Sequence, residues 1–382
     1  MRLSLRELSR SRSDSVRKLI QSIACAFAVL TTPGCAGAEP GGAWITFVSH
    51  RTGRNLLYKM QPDGSGLSVL FGGELKGVPG LSEGLVLYRE PHWARLSPDR
   101  RFFLDWAGDV GLPLEKYESA QHFMIYLGRL DGGPVRVLAS DGDEDFAWSP
   151  DSRRLAYGNS SVKQPNLVSA VTSRVPSAQI FVVGIDGSHE QIVLEKPGLW
   201  NVLDWSRDGS KLLLNYTSAS SLAYASSSLF EFDLAAAQQV MKESSKKDYT
   251  FSLFYPGSHQ IDTHLKLLTG SVQAVDGRYS PDGKTVALMF ERERNPYGTR
   301  FELGVLDLAD LKLRPVPVPS APGLRGPICW SPDGREILFS RWLDPKDDKE
   351  KMEGEHGLGI YAIQPDGSHL RFLTTGWSPD WR

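Results

Sequence analysis

From residue 43 onward the chain alternates short apolar runs with polar turn residues, and the turns repeat. Ser97-Pro98-Asp99, Ser149-Pro150-Asp151, Ser206-Arg207-Asp208, Ser280-Pro281-Asp282, Ser331-Pro332-Asp333 and Ser378-Pro379-Asp380 recur at intervals of 52, 57, 74, 51 and 47 residues. The residue before each Ser is Leu96, Trp148, Trp205, Tyr279, Trp330 or Trp377, and Gly follows the motif at Gly209, Gly283 and Gly334. Ser first, Pro second and Gly fourth are the preferences of a type I turn. Pro presets the backbone angle, and the Ser and Asp side chains bond the nearby backbone. An apolar run follows each of the first five: Phe102-Phe103-Leu104, Leu155-Ala156-Tyr157, Leu212-Leu213-Leu214, Val286-Ala287-Leu288 and Ile337-Leu338-Phe339. The motif therefore joins two antiparallel strands, A and B.

Each unit continues with a second apolar run and often a second turn. Leu57-Tyr58-Lys59-Met60 precedes Asp63-Gly64, Ile180-Phe181-Val182-Val183 precedes Asp186-Gly187, and Ile360-Tyr361-Ala362-Ile363 precedes Asp366-Gly367. Asp-Gly between apolar runs is a strong hairpin signal. A last short strand ends at Leu70, Leu138, Leu194 or Leu373. Four antiparallel strands, A to D, in a repeat of this length make a propeller blade. Five motifs have a full unit after them, and the sixth ends the chain. The N-terminal repeat starts at strand B, Ile45-Thr46-Phe47-Val48. The expected fold is all-β: a six-bladed β-propeller over residues 43–382, closed by a C-terminal strand that completes the N-terminal blade. Closure removes the exposed strand edges.

The stretches Trp330 to Ser340 and Ile360 to Ser368 resemble the repeats of TolB-type propellers, and Ile45 to Gly53 is similar to their B-to-C turn. The resemblance covers nearly all of residues 43–382 and specifies fold better than function. TolB carries an α/β domain ahead of its propeller and this chain leaves no room for one, which implies a relative rather than TolB proper. The same blades occur beside serine-peptidase domains, but no hydrolase domain follows here.

Ahead of the repeats, residues 1–38 read as an export signal. Arg2, Arg6, Arg10, Arg12, Arg17 and Lys18 precede an apolar stretch from Leu19 to Leu30 and then Ala36-Gly37-Ala38. A basic start, a short apolar run and a small-residue site describe a secretory signal peptide. The run is shorter than the roughly 20 residues that a membrane span needs. Cleavage after Ala38 gives a soluble protein, and cleavage before Cys35 gives a lipoprotein lipidated on that residue. Localisation in the bacterial periplasm, or on the outer membrane through Cys35, follows. Either route removes Cys25 and leaves Cys329 as the one thiol of the folded part, so no internal disulfide is expected.

Composition narrows the function further. The 382 residues are 41% hydrophobic and 23% charged, enough for a large core. With 43 basic and 45 acidic residues the net charge is −2, which argues against a nucleic-acid binder. The signal carries six positive and two negative charges, so cleavage after Ala38 leaves −6. Neither a Gly-x-Ser-x-Gly elbow nor a phosphate loop appears. Asp141, Asp143 and Asp145 alternate, but lack the downstream Gly and Glu of a calcium loop, and read as a solvated D–A link. The eight His are scattered. His92, at the entry of a strand A, is the best candidate for a metal ligand of the kind that some sugar lyases on this propeller use. No cofactor or metal is expected.

The A–B and C–D turns read as tight, whereas the B–C connections (106–121, 158–178, 216–228, 290–300, 341–358) and the D–A links 71–90 and 242–275 are long. Residues 235–249 predict a short helix, Ala235 to Lys242. Elaborated loops on a rigid frame usually carry binding, so the expected binding face is that of the B–C loops. Arg89, Glu90, His92, Asp145, Asn201, Asp276, Arg278 and Arg325 fall near the starts of strands A on that face, around the channel. The function expected is a non-enzymatic protein-interaction scaffold, a monomer that binds another envelope protein. The alternative is a carbohydrate or small-ligand binder, or a metal-dependent lyase, using the central channel.

Overall fold

Each Ser-Pro-Asp turn builds its own hydrogen-bond cage. In the computed structural model, the Ser hydroxyl donates to the Asp carboxylate at 2.6–2.7 Å in Ser97–Asp99, Ser149–Asp151, Ser206–Asp208, Ser280–Asp282 and Ser331–Asp333. The same Ser oxygen accepts the N–H five residues on, as from Arg154, Lys211 and Glu336 at 2.8–2.9 Å. The Asp oxygen accepts the N–H two residues beyond it. A backbone bond closes each turn on its fourth residue, whose φ is positive: 74° at Gly209, 70° at Gly283 and 71° at Gly334. Arg100 and Ser152 take the same conformation without being glycine, at φ 58° and 60°.

The described residues are 42–72, 93–108, 123–140, 145–159, 177–217, 227–245, 264–295, 298–319, 323–343 and 357–382. They form six sheets of four antiparallel strands. Blades 1 to 5 run in chain order from Arg95 to Thr375. Blade 6 joins Ile45–Ser49, Leu56–Met60 and Ser68–Phe71 to the last strand, Trp377–Trp381. Ile45 pairs Trp381 and Thr46 pairs Asp380, and the N–H groups of Trp44 and Arg382 each donate to the other's carbonyl. The two ends of the propeller unit, Ala43–Arg382, thus close the ring as expected. The expected signal peptide and Cys35 lie outside the described residues. Among those described, no helix is long and apolar enough to cross a membrane.

Six apolar clusters fill the six blade-to-blade interfaces. Trp148, Trp205, Tyr279 and Trp330, the aromatics before the turns, each sit in one of them and are at most 8% exposed. Side chains from both faces of each sheet therefore meet a neighbour, and burying so much apolar area drives ring closure.

Two expectations about the repeat need correction. Ser378-Pro379-Asp380 is not a turn but lies inside the closing strand, with φ 54° at Ser378 and a bulge opposite Phe47. Trp381, four residues after Trp377, takes the place that Trp330 has in blade 5, since each pairs with the first Ile of its strand B. A turn there would need a following strand, and strand B of this blade comes from the N-terminus. The second correction concerns blade 3. Its strand D is Leu265–Leu267, paired to Phe230–Phe232, so the long segment before it joins C to D rather than D to A. No Asp-Gly follows strand C here. Asp233 instead caps a helix, Leu234–Ser245, its carboxylate accepting the N–H of Ala236 at 2.8 Å. Leu234 and Ala237 pin the helix to the interface of blades 2 and 3. Elaboration is therefore not confined to the face of the B–C loops.

Candidate functional site

Strands A line the axis, and the residue two before each turn Ser in blades 1 to 5, with Asp380 in blade 6, belongs to one ring: Arg95, Ala147, Asp204, Arg278, Cys329 and Asp380. All six line a cavity of about 410 Å³, which opens between the A–B turns and is rimmed by Pro98, Pro150, Pro281 and Pro332. Blades three apart face each other across a six-bladed ring. Arg95 therefore stands opposite Arg278, Asp204 opposite Asp380, and the small Ala147 opposite Cys329.

The framework holds each charged member differently. Arg95 donates through Nη1 to the carbonyls of Phe146 at 2.8 Å and Leu203 at 3.3 Å, and its guanidinium lies over the Phe146 ring. Burial, and the facing Arg278, push its pKa down to about 10. Arg278, 8% exposed, donates through Nη1 to Asp276 Oδ1 at 2.9 Å and to the Gly277 carbonyl. Its Nη2 is buried without a hydrogen-bond partner. Burial works against its charge, yet Asp276 and Asp204 outweigh that and hold its pKa above the ordinary value.

The carboxylates tie blade to blade. Asp204 Oδ2 accepts the N–H of Tyr279 at 2.9 Å, Asp276 Oδ2 that of Ile328 at 2.9 Å, and Asp380 Oδ2 that of Leu96 at 3.2 Å. Burial raises the pKa of Asp204 despite Arg278 and these N–H donors. Asp380 also accepts from Arg382 Nε at 3.1 Å. Register shifts recur in the A strands of blades 3, 4 and 5, where strand A carries extra residues opposite strand B. Burial, then Asp380, push the Cys329 thiol well up, so it is not a ready nucleophile.

Of the residues expected near the channel, Arg278 lines the cavity and Asp276 braces it from below. Asp145 stands two residues before Ala147, and its charge acts on both Arg95 and Arg278, whereas Asn201 lies toward the start of its strand. Arg325 is exposed at the far end of its strand, with its guanidinium over the Trp342 ring. Arg89, Glu90 and His92 lie outside the described residues. Arg95, Asp204 and Asp380 were not anticipated; for Arg95 and Asp204 the signal was their place two residues before the turn Ser. Among the described residues no group of three His, Cys, Asp or Glu could hold a metal ion.

No protein-family model matches the sequence, and no curated protein matches it. Solved structures do. TolB from Acinetobacter baumannii is 16% identical with a TM-score of 0.55, over 89% of this chain and 66% of that one. The chain thus spans about two thirds of that protein's length. A putative TolB from Agrobacterium tumefaciens is 14% identical with a TM-score of 0.51, over 88% of this chain and 91% of that one. An oligogalacturonate lyase from Vibrio parahaemolyticus is more distant, at 10% identity and a TM-score of 0.48, over 86% of this chain and 74% of that one. Likeness at these identities is likeness of fold, and one fold hosts many functions. By fold, the chain is a TolB-like six-bladed β-propeller.

Proposed function

We propose that the chain is an exported, non-enzymatic scaffold of the cell envelope, which binds another protein on the face of its A–B turns. One observation carries the reading: the cavity of about 410 Å³ opens on that face, at the axis, with walls from all six blades. The turns around it are rigid by construction, so a partner meets a preformed surface and little ordering cost is incurred. The basic, apolar and small-residue pattern of residues 1–38 supports export, with Cys35 as the lipid anchor if cleavage falls before it.

Arg207 offers a test. It is exposed beside the cavity and donates to the Pro281 carbonyl at 2.8 Å. Affinity capture from the native envelope should recover one dominant partner with the wild type and much less with Arg207→Glu. Equal recovery, or turnover of a substrate by the pure protein, would contradict the reading. The cavity volume favours a second reading, since small-molecule sites span about 300–1,000 Å³. On that reading a carbohydrate or small ligand fills the channel mouth, and a glycan screen with metal analysis tests it.

A further inference from the structure

The ring at the channel mouth sets two guanidinium groups on one diameter and leaves one of their donors without a partner. Arg95 and Arg278 face each other across the axis, both lining the cavity. Arg95 makes no ion pair among the described residues; its Nη1 is spent on two backbone carbonyls. Arg278 pairs with Asp276 through Nη1, and its buried Nη2 is left with no partner. Bringing two guanidinium groups together out of water is costly unless an anion lies between them. An unpartnered buried donor adds its own desolvation cost. Asp145, Asp276 and Asp380 offset the charge of Arg95, and Asp276, Asp204 and Asp145 that of Arg278, but the Oδ2 atoms of Asp204, Asp276 and Asp380 are committed to N–H groups of the next blade.

We infer that the channel mouth is a carboxylate site, in which one carboxylate of the bound partner bridges Arg95 and Arg278. This rests on the reading that a protein binds this face, and it names what that protein inserts. A planar carboxylate matches the guanidinium fork and can span two of them. A phosphate dianion would bring twice the charge between Asp204 and Asp380, which therefore select against it. Ala147 and Cys329, on the third diameter, leave a slot for the chain that bears the carboxylate. Both an acidic side chain and a C-terminal carboxylate supply this chemistry.

The indoles beside the site report on it. Trp148 Nε1 donates to the carbonyl of Arg95 at 3.2 Å, and Trp330 Nε1 to that of Arg278 at 3.1 Å. Sodium acetate is titrated into ¹⁵N-labelled protein at constant ionic strength, with chloride as the balance because salt screens charge. The two indole N–H signals should shift saturably, and inorganic phosphate should bind more weakly. Arg95→Gln should weaken acetate about 10-fold or more, and the charge-retaining Arg95→Lys by less. Both variants must keep the wild-type spread of indole signals, which checks folding. Absence of saturable shifts in the wild type, unchanged affinity in a folded Arg95→Gln, or tighter binding of phosphate would each overturn the inference. Short peptides with one Glu and an amidated end, or with no acidic side chain and a free end, then distinguish the two sources. A partner captured equally well by Arg95→Gln refutes this site but leaves the scaffold reading standing; a folded wild type that binds acetate yet captures no partner does the reverse.

Discussion

Ser331→Ala removes the centre of one turn cage, and its cost can be worked from the contacts. Ser331 is 2% exposed. Its Oγ donates to Asp333 Oδ1 at 2.6 Å and accepts the N–H groups of Glu336 at 2.9 Å and Arg335 at 3.1 Å. Arg335 keeps a second acceptor, Asp333, so the Glu336 N–H loses most. An internal hydrogen bond contributes about 1 kcal/mol net. The bond to Asp333 adds about 0.5–1 kcal/mol, reduced from the charged-group value because that carboxylate is largely exposed to solvent. The total, about 2 kcal/mol, lowers the folded-to-unfolded ratio roughly 30-fold. The Ser331 hydroxyl is also the main reason that the Asp333 pKa lies below its ordinary value. A carboxylate with a depressed folded pKa gives stability that is full above its unfolded pKa and is lost as pH falls through the folded one. The penalty of Ser331→Ala should therefore be largest near neutrality and shrink in acid below pH about 4. Urea unfolding at pH 7 and pH 3 measures the penalty, and carboxyl NMR follows Asp333. A loss below about 0.5 kcal/mol at pH 7, or a penalty that grows in acid, would refute the reasoning.

Three further outcomes follow from other contacts. Trp381→Ala should cost about 3–5 kcal/mol in urea unfolding, because the indole fills the interface of blades 5 and 6; a surface-sized effect would mean that the closing strand does not seal the ring. Gly128 pairs with Phe103, and a Cβ there would overlap the buried Phe103 ring. Gly128→Ala should thus destabilise by about 1–3 kcal/mol or more, and a neutral result would contradict the register. Cys329 should resist a neutral thiol reagent in the native protein and react once urea unfolds it; rapid native labelling would show that the thiol is neither buried nor raised in pKa.

Blade number, strand order and closure were legible because one turn chemistry repeats, and a single cage of Ser, Asp and backbone is hard to mistake. The same signature misled at Ser378, where three identical residue types sit inside a strand: local chemistry permits a turn, but the N-terminal strand B decides the pairing. Blade 3 hid its strand D because Leu265 and Leu267 follow a capped helix rather than an Asp-Gly turn. The candidate site was half visible. Arg278 was anticipated from its strand, but attention fell on strand starts, whereas the cavity mouth is built from strand ends. Which side chains meet across the axis depends on ring geometry, so the facing of Arg95 with Arg278 has no local signature.

A partner seated on the A–B turn face would be contacted from that face alone. A photo-crosslinking residue placed at Arg207, beside the cavity, and separately at Trp342, exposed at the opposite ends of the strands, compares the two faces within the native envelope. One crosslinked partner is expected from position 207 and none from 342. Crosslinking from 342 alone would move binding to the face of the B–C loops and contradict the account.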